Sequence, residues 1–260
     1  MQPLLSRVTE IGGRRLPFLR WSFVRLGLSM KHLLKEWQVG DGREQAALDH
    51  VLATAPAGDV SAAIAAIDDY AYRQKFLINV GDEKGKILDD VLDRVQPTRV
   101  LELGAYVGYS ALRIARKLPP GGHIYSVEFS EANAAIARRM VAHAGATAKV
   151  TIVHGSLGDG GATMARLRNE HGFAEGTVDV AFIDHDKEVY VPDLERVIDA
   201  GWLHKGSVVV ADNIGFPGAP KYREYMRAQE GRRFNSESHK TFAEYQTLIP
   251  DVVMVSTFLG

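Results

Sequence analysis

The stretch that decides the fold covers residues 100–110 and reads Val-Leu-Glu-Leu-Gly-Ala-Tyr-Val-Gly-Tyr-Ser. Its short apolar run ends at Leu103, and a helical pattern begins near Tyr109. Gly104 and Gly108 permit a tight turn and a close approach of the backbone to a ligand. This order of strand, glycine turn and helix is typical of ligand-binding α/β sheets.

Outward from this unit, short apolar runs alternate with helical patterns along the chain. Strands are predicted at Arg99–Leu103, His123–Val127, Val150–Val153, Val178–Ile183, Ser207–Ala211, Tyr245–Ile249 and Val252–Phe258. Helices are predicted at 43–55, 60–76, 82–95, 109–118, 131–144, 160–170, 190–200 and 219–230. The pattern indicates an α/β fold: a doubly wound, mostly parallel seven-stranded sheet with helices on both faces. The last two strands are expected to pair antiparallel at the C-terminal edge.

Composition excludes several classes of protein. The 31 basic residues against 32 acidic ones lack the excess that phosphate neutralisation needs, so we expect no nucleic-acid partner. With no cysteine, disulfides, thiolate metal sites and cysteine nucleophiles are absent. No uncharged stretch of 18 residues is found, so no membrane span is predicted. We expect a cytoplasmic protein.

Residues 1–40 form a distinct segment before the domain predicted at 41–260. They hold seven Arg and Lys residues against two Glu, interleaved with Leu, Phe and Trp. This pattern predicts a basic amphipathic helix. Three roles stay open for it: packing on its own domain or on a second subunit, contact at a membrane surface, or a loose tail. The oligomeric state is open as well.

Polar side chains follow five consecutive predicted strands. Because ligands of open α/β sheets bind beyond the carboxyl ends of the strands, these positions are candidates for the site. One acidic residue after a strand is commonly a helix cap. Four of them at one edge crowd like charges and need a cation or a polar ligand to offset them. The five positions are Glu102, Glu128, Ser156, Asp184 and Asp212-Asn213.

The glycine turn restricts the cofactor class. A dinucleotide fingerprint needs glycine at the position of Tyr106, and no P-loop pattern follows any strand. Glu128 lies 24 positions after Gly104, where a carboxylate accepts hydrogen bonds from ribose hydroxyls. A cofactor with a ribose but no pyrophosphate fits best, and S-adenosylmethionine has that chemistry.

Several stretches resemble catechol O-methyltransferases. They are Asn-Val-Gly-Asp-Glu-Lys-Gly (79–85), Leu-Glu-Leu-Gly-Ala-Tyr-Val-Gly-Tyr-Ser (101–110), Ile-Asp-His-Asp-Lys (183–187), Ala-Asp-Asn (211–213) and Phe-Ala-Glu-Tyr (242–245). The resemblance extends from about Gly40 to Tyr245. It implies a Rossmann-like class I methyltransferase fold and a Mg²⁺-dependent transfer of a methyl group from S-adenosylmethionine to one hydroxyl of a catechol. The alanine-rich composition favours a bacterial member.

Site residues follow from this resemblance, position by position. Lys187 would be the general base, and Glu244 would accept a hydrogen bond from the second hydroxyl. Mg²⁺ would be bound by Asp184, Asp212 and Asn213, whose oxygens suit a hard cation. The substrate site would consist of Phe76, Asp184, Lys187, Asn213 and Glu244. The cofactor site would consist of Val80, Glu102, Gly104, Tyr106, Ser110, Glu128, Phe129, Ser156, Asp184 and His185.

Each main role has an ordinary alternative. Lys187 would otherwise be a solvated lysine at a helix start, Asn213 a turn residue and Glu244 an exposed strand residue. Phe76 and Asp186 stand where the animal enzymes carry tryptophan, so we expect altered substrate preference or regioselectivity.

Two other functions stay open. A caffeoyl-coenzyme A type of O-methyltransferase would share the metal residues but need a basic surface for the coenzyme phosphates. A non-catalytic S-adenosylmethionine-binding module would bind the cofactor without turnover.

Overall fold

The structure, a computed structural model, describes residues 40–260 together with Glu10–Ile11 and Arg14–Arg15. The two short N-terminal segments pair as antiparallel strands. These four residues therefore do not form part of the predicted helix. The rest of the predicted helix within residues 1–40 lies outside the described residues. Within the described part of the chain, no helix is both long and apolar enough to cross a bilayer.

In the described part of the chain, the main sheet has seven strands. They are β1 (Arg99–Leu103), β2 (His123–Glu128), β3 (Val150–His154), β4 (Val178–Ile183), β5 (Leu203–Ala211), β6 (Phe234–Phe242) and β7 (Pro250–Phe258).

Eight α-helices surround this sheet in the described residues. They are α1 (Arg43–Thr54), α2 (Val60–Arg73), α3 (Gly81–Val95), α4 (Tyr109–Lys117), α5 (Glu131–His143), α6 (Ala162–His171), α7 (Tyr190–Asp199) and α8 (Pro220–Gln229). A 3₁₀ turn at Lys187–Val189 precedes α7, and a π turn at Ile214–Gly218 follows β5.

The strands are arranged in the order β3-β2-β1-β4-β5-β7-β6. The five strands β1 to β5 are mutually parallel, and β7 is antiparallel to both of its neighbours, β5 and β6. The predicted fold class is therefore confirmed, including the antiparallel pair at the C-terminal edge. The reversal of strand order between β1 and β4 is where ligands of such sheets bind.

The predicted strand at Tyr245–Ile249 is wrong, because β6 uses earlier residues and 243–249 form a turn. Gln246 stabilises this turn: its amide oxygen accepts hydrogen bonds from the backbone N–H groups of Leu248 and Ile249 at 2.6 and 2.7 Å. β6 is an edge strand and reads Phe-Asn-Ser-Glu-Ser-His-Lys-Thr-Phe, with only polar residues between its two terminal phenylalanines. It therefore lacks the apolar run by which buried strands are recognised.

Apolar side chains cover both faces of the sheet in two layers. Val180 and Phe182 of β4 belong to the layer formed with α1 to α5. Ala181 and Ile183 alternate with them and belong to the layer formed with α6, α7 and α8. This burial on both faces explains why the central strands are continuous apolar runs. It leaves polar residues at the strand ends, between the two layers.

Candidate active site

Backbone hydrogen bonds fix the residues that follow the central strands. The N–H of Asp184 donates to the carbonyl of Leu103 at 2.9 Å, and the N–H of Asp212 donates to the carbonyl of Ile183 at 3.0 Å. The ladder of the parallel sheet thus continues one residue beyond each strand. Asp184 and Asp212 therefore lie on neighbouring strands at one edge.

Gly104 packs against the backbone that follows β4. It has φ +102°, a conformation that side chains disfavour. A Cβ built there would lie 2.3 Å from the carbonyl oxygen of Asp184. Glycine at this position therefore lets the end of β1 pack directly against the loop after β4, which joins the predicted cofactor residues to the predicted metal residues.

Glu102 is fully buried at the end of β1. The hydroxyl of Ser126 donates to Oε2 of Glu102, whereas Oε1 has no partner among the described residues. Burial raises the pKa of Glu102 to about 7, against the opposing effect of the nearby Ser110 and Ser126 hydroxyls. An unpaired buried carboxylate oxygen is costly, so this position fits a cationic group of a ligand.

Glu128 ends β2 and organises the glycine turn. Its two oxygens accept hydrogen bonds from the backbone N–H groups of Tyr106 and Ser130, at 2.8 and 2.9 Å. Burial raises the pKa of Glu128 and outweighs these bonds. Tyr106 adopts φ +48° and donates its hydroxyl to Oε1 of Glu44 at 2.9 Å. Phe129 is 59% exposed, so its face is open to an aromatic ligand.

The other predicted cofactor residues lie around the same edge. Val80 precedes α3 and is buried, Ser110 is buried in the first turn of α4, and Ser156 is half-buried after β3. His185 stacks on Tyr190 with ring centroids 5.1 Å apart. Its Nε2 lies 2.9 Å from Oδ2 of Asp193, and its buried Nδ1 has no partner among the described residues. Burial lowers the pKa of His185 despite Asp193.

Lys187 is held at the site and is not a solvated lysine, since its side chain is 19% exposed. Its Nζ donates to Oδ1 of Asp184 at 3.1 Å and to the hydroxyl of Tyr190 at 2.6 Å. The Tyr190 hydroxyl in turn donates to the carbonyl oxygen of Asp212 at 3.2 Å. Burial raises the pKa of Asp184 to about 6, although Lys187 opposes the shift.

A second lysine, missed in the sequence reasoning, lies at the centre of the acidic residues. Lys84, in the first turn of α3, has a side chain only 1% exposed. Its Nζ lies 2.7 Å from Asp212 Oδ2, 2.5 Å from Glu244 Oε1 and 3.1 Å from Asp251 Oδ2. Burial acts to lower the pKa of Lys84, but the carboxylates outweigh it and raise that pKa well above its ordinary value. Lys84 therefore remains an ammonium ion.

Asn213 and Asp251 complete this cluster. Asn213 adopts a left-handed conformation, φ 55° and ψ 36°, and its Nδ2 donates to Glu244 Oε1 at 2.9 Å and to Asp251 Oδ2 at 3.1 Å. Asp251 Oδ1 accepts from the backbone N–H groups of Gly215 and Phe216 at 3.0 and 2.8 Å. Asp251 thus fixes the loop that carries Asn213. The only sequence signal for Asp251 is its place beside a proline between strands.

Phe76 contacts Tyr245, the residue next to Glu244. It is buried and meets Tyr245 edge-on, with ring centroids 6.2 Å apart. The guanidinium of Arg43 donates to the carbonyl of Phe76 at 2.6 Å. Glu244 itself lies in the turn after β6, with a side chain 11% exposed, so it is not an exposed strand residue.

Among the described residues, no three His, Asp or Glu side chains form a group that could hold a metal by themselves. The predicted set has two carboxylates and one amide. Oδ2 of Asp212 is buried and receives no directed hydrogen bond from Lys84, although the two atoms are 2.7 Å apart. Burial and the neighbouring carboxylates raise the pKa of Asp212, with Lys84 opposing them. A hard cation at this position would be a further partner for this buried oxygen.

Comparisons with known proteins identify the family. A model of the O-methyltransferase family matches residues 61–241. A probable O-methyltransferase of Mycobacterium tuberculosis is 54% identical over 235 residues, covering 90% of this chain and 100% of that protein. Catechol O-methyltransferase of Bos taurus is 41% identical over 211 residues, covering 81% of this chain and 75% of that protein.

Solved structures agree at the level of the fold. The O-methyltransferase TomG from Streptomyces achromogenes, whose crystal structure contains SAM, superposes with a TM-score of 0.62. The alignment covers 76% of this chain and 90% of TomG, with 23% identity. A likeness at that identity supports the architecture of the sheet and its helices.

Proposed function

The chain belongs to the O-methyltransferase family, and we propose that it catalyses a Mg²⁺-dependent transfer of the methyl group of S-adenosylmethionine to one hydroxyl of a catechol. The main support is the charge of the cluster at the strand ends. Among the described residues, four carboxyl groups, those of Asp184, Asp212, Glu244 and Asp251, meet two lysine side chains, those of Lys84 and Lys187. A divalent cation would stabilise the ionised form of these carboxyl groups, since burial raises the pKa of Asp184 and of Asp212.

The donor set fits magnesium. Asp184, Asp212 and Asn213 would hold the ion, since Mg²⁺ takes oxygen ligands and leaves several positions to water and substrate. Bound there, Mg²⁺ would lower the pKa of a phenolic hydroxyl by stabilising the phenolate. The similarity to a catechol O-methyltransferase at 41% identity supports vicinal hydroxyls as the acceptor.

The protein's own groups provide positioning and proton transfer. Lys187, in its neutral form, would accept the phenolic proton, and Asp184 and Tyr190 hold its nitrogen in place at 3.1 and 2.6 Å. Glu244 would accept a hydrogen bond from the hydroxyl that is not methylated. Fixing the nucleophilic oxygen against the methyl donor removes much of the entropic barrier.

The cofactor side of the edge fits S-adenosylmethionine. The unpaired Oε1 of Glu102 suits an ammonium group, and Glu128 lies where ribose hydroxyls are bound in such folds. The exposed ring of Phe129 offers a surface on which an adenine could stack. When bound, S-adenosylmethionine supplies the electrophilic methyl group.

The test is methyl transfer from S-adenosylmethionine to 3,4-dihydroxybenzoate, with Mg²⁺ and then with a chelator. We expect turnover that stops on chelation and falls at least 10²-fold in Lys187→Ala, the size typical of a lost general base. Lys221→Ala is the control, since that lysine is 69% exposed and pairs only with Glu188 among the described residues.

Cofactor binding without turnover on any catechol would refute the proposal. Turnover on a coenzyme A ester alone would favour the caffeoyl-coenzyme A type of enzyme.

A further inference from the structure

Lys84 is the most deeply buried cation at the proposed site, and it has no part in the bonds that the proposed methyl transfer would make or break. Its ammonium has three N–H donors, and three carboxylates surround it at 2.5 to 3.1 Å. A buried lysine with three acidic partners is expensive to desolvate, so stability alone is a weak reason for it. Its geometry toward Glu244 indicates a more specific role.

Both donors that reach Glu244 bind the same oxygen. Lys84 Nζ lies 2.5 Å from Oε1, and Asn213 Nδ2 lies 2.9 Å from it. Oε2 of Glu244 has no hydrogen bond from any described residue, and it is not among the buried unpaired atoms. The carboxylate is thus fixed by one oxygen and has the other available as an acceptor.

The same cluster also determines which way the Asn213 amide faces. Carboxylates only accept hydrogen bonds, so the amide nitrogen must face Glu244 and Asp251, as it does at 2.9 and 3.1 Å. The amide oxygen is then directed away from the acids and is available as a ligand. Lys84 supports this arrangement by its contact of 3.1 Å with Asp251.

We propose that Lys84 is a positioning residue that holds Glu244 by Oε1 and so presents Oε2 to the second hydroxyl of the substrate. This inference rests on the proposed function, because it needs Glu244 to contact the acceptor. Packing supports it: a Cβ built on Gly81, at the start of α3, would lie 3.6 Å from both the Cα and the Cβ of Glu244, so the helix that carries Lys84 packs against the same residue.

The test is a double-mutant cycle between Lys84 and Glu244. Binding of 3,4-dihydroxybenzoate is measured by calorimetry on protein loaded with Mg²⁺ and S-adenosylhomocysteine, so that no turnover occurs. Lys84→Met should weaken the affinity about tenfold, the effect expected for a lost hydrogen bond to a charged group. In a Glu244→Gln background, Lys84→Met should weaken this affinity less than twofold. In turnover assays, KM should rise more than kcat falls.

Two controls separate positioning from folding. Lys86→Met changes a lysine of the same helix that is 62% exposed, and it should leave the affinity unchanged. The double variant Lys84→Met/Asp251→Asn removes one positive and one negative charge, so it keeps the net charge of the cluster. It replaces Lys84→Met in the test if the single variant does not fold. Thermal unfolding is recorded for every protein.

The outcomes are distinct. Equal losses of affinity in the two Glu244 backgrounds, or no loss at all, would overturn the role of Lys84 while leaving the proposed function intact. A wild-type protein that neither binds nor methylates the catechol would overturn the proposed function, and this inference with it.

Discussion

Replacing Gly104 with alanine places a methyl group against the backbone of Asp184. The new Cβ would lie 2.3 Å from the carbonyl oxygen and 2.8 Å from the carbonyl carbon of Asp184. Ordinary contact begins at 3.4 Å, so the end of β1 and the loop after β4 must separate by about 1 Å. Both partners are backbone, so no side-chain rotation can relieve the clash.

The cost has two parts. Alanine at φ +102° is strained by about 1–3 kcal/mol. Forcing the two segments apart adds about 1–3 kcal/mol, as for overpacked cores. Gly206 is the matched control, because it has φ +97° with no atom within 4 Å of a built Cβ. Gly206→Ala should therefore show the strain without the clash.

The assay is equilibrium unfolding in urea, with thermal unfolding alongside. We expect Gly104→Ala to lose about 1–3 kcal/mol more than Gly206→Ala, each kcal/mol lowering Tm by roughly 2–4 °C at this size. Methyl transfer should fall by about 10²-fold, because a displacement of 1 Å moves Asp184. Equal stability losses in the two variants would refute the steric reasoning.

Three further predictions concern other groups. Burial raises the pKa of Asp68 to about 6, so ionisation destabilises the folded wild type as pH rises from about 4 to about 6. Asp68→Asn lacks this ionisation, so its unfolding free energy minus that of the wild type should rise by up to about 3 kcal/mol across that range. Urea melts at several pH values measure this difference, and a difference that does not change with pH would contradict the prediction. Arg113→Met removes the two hydrogen bonds, at 2.9 and 3.0 Å, that Arg113 donates to the buried Asp89, and leaves Asp89 with Arg116, so it should cost about 3 kcal/mol in urea melts. Arg116→Met removes a partner of Asp89 whose side chain is 32% exposed, so it should cost under about 1 kcal/mol. Mg²⁺ at 100 times its Kd should stabilise the wild type by about 2.7 kcal/mol and so raise its Tm. In Asp212→Asn, Mg²⁺ should leave Tm unchanged.

The sequence predicts the central sheet well because its strands are buried on both faces. The apolar runs of β1, β2, β3 and β4 stand out, and their polar ends locate the candidate site. Strand β6 is missed because an exposed edge needs no apolar run, and its solvent-facing residues resemble a loop.

Lys84 is missed for a different reason. In the sequence it lies among Asp82, Glu83 and Lys86, and nothing in the pattern separates it from Lys86. Only the packing of α3 makes one lysine 1% exposed and the other 62% exposed. Asp251 is equally hidden, since its partners on the loop after β5 are far away in the chain.

The position of β7 between β5 and β6 affects how the sheet folds during translation. The nascent chain contains β6 before β7, yet among the described strands β6 is hydrogen-bonded only to β7. While the ribosome is still adding β7, the edge of β5 stays uncovered and open to pairing with other chains. Asp251 lies on the same late strand and fixes the loop after β5. A polypeptide released before β7 would therefore have both an unprotected sheet and an unfinished site.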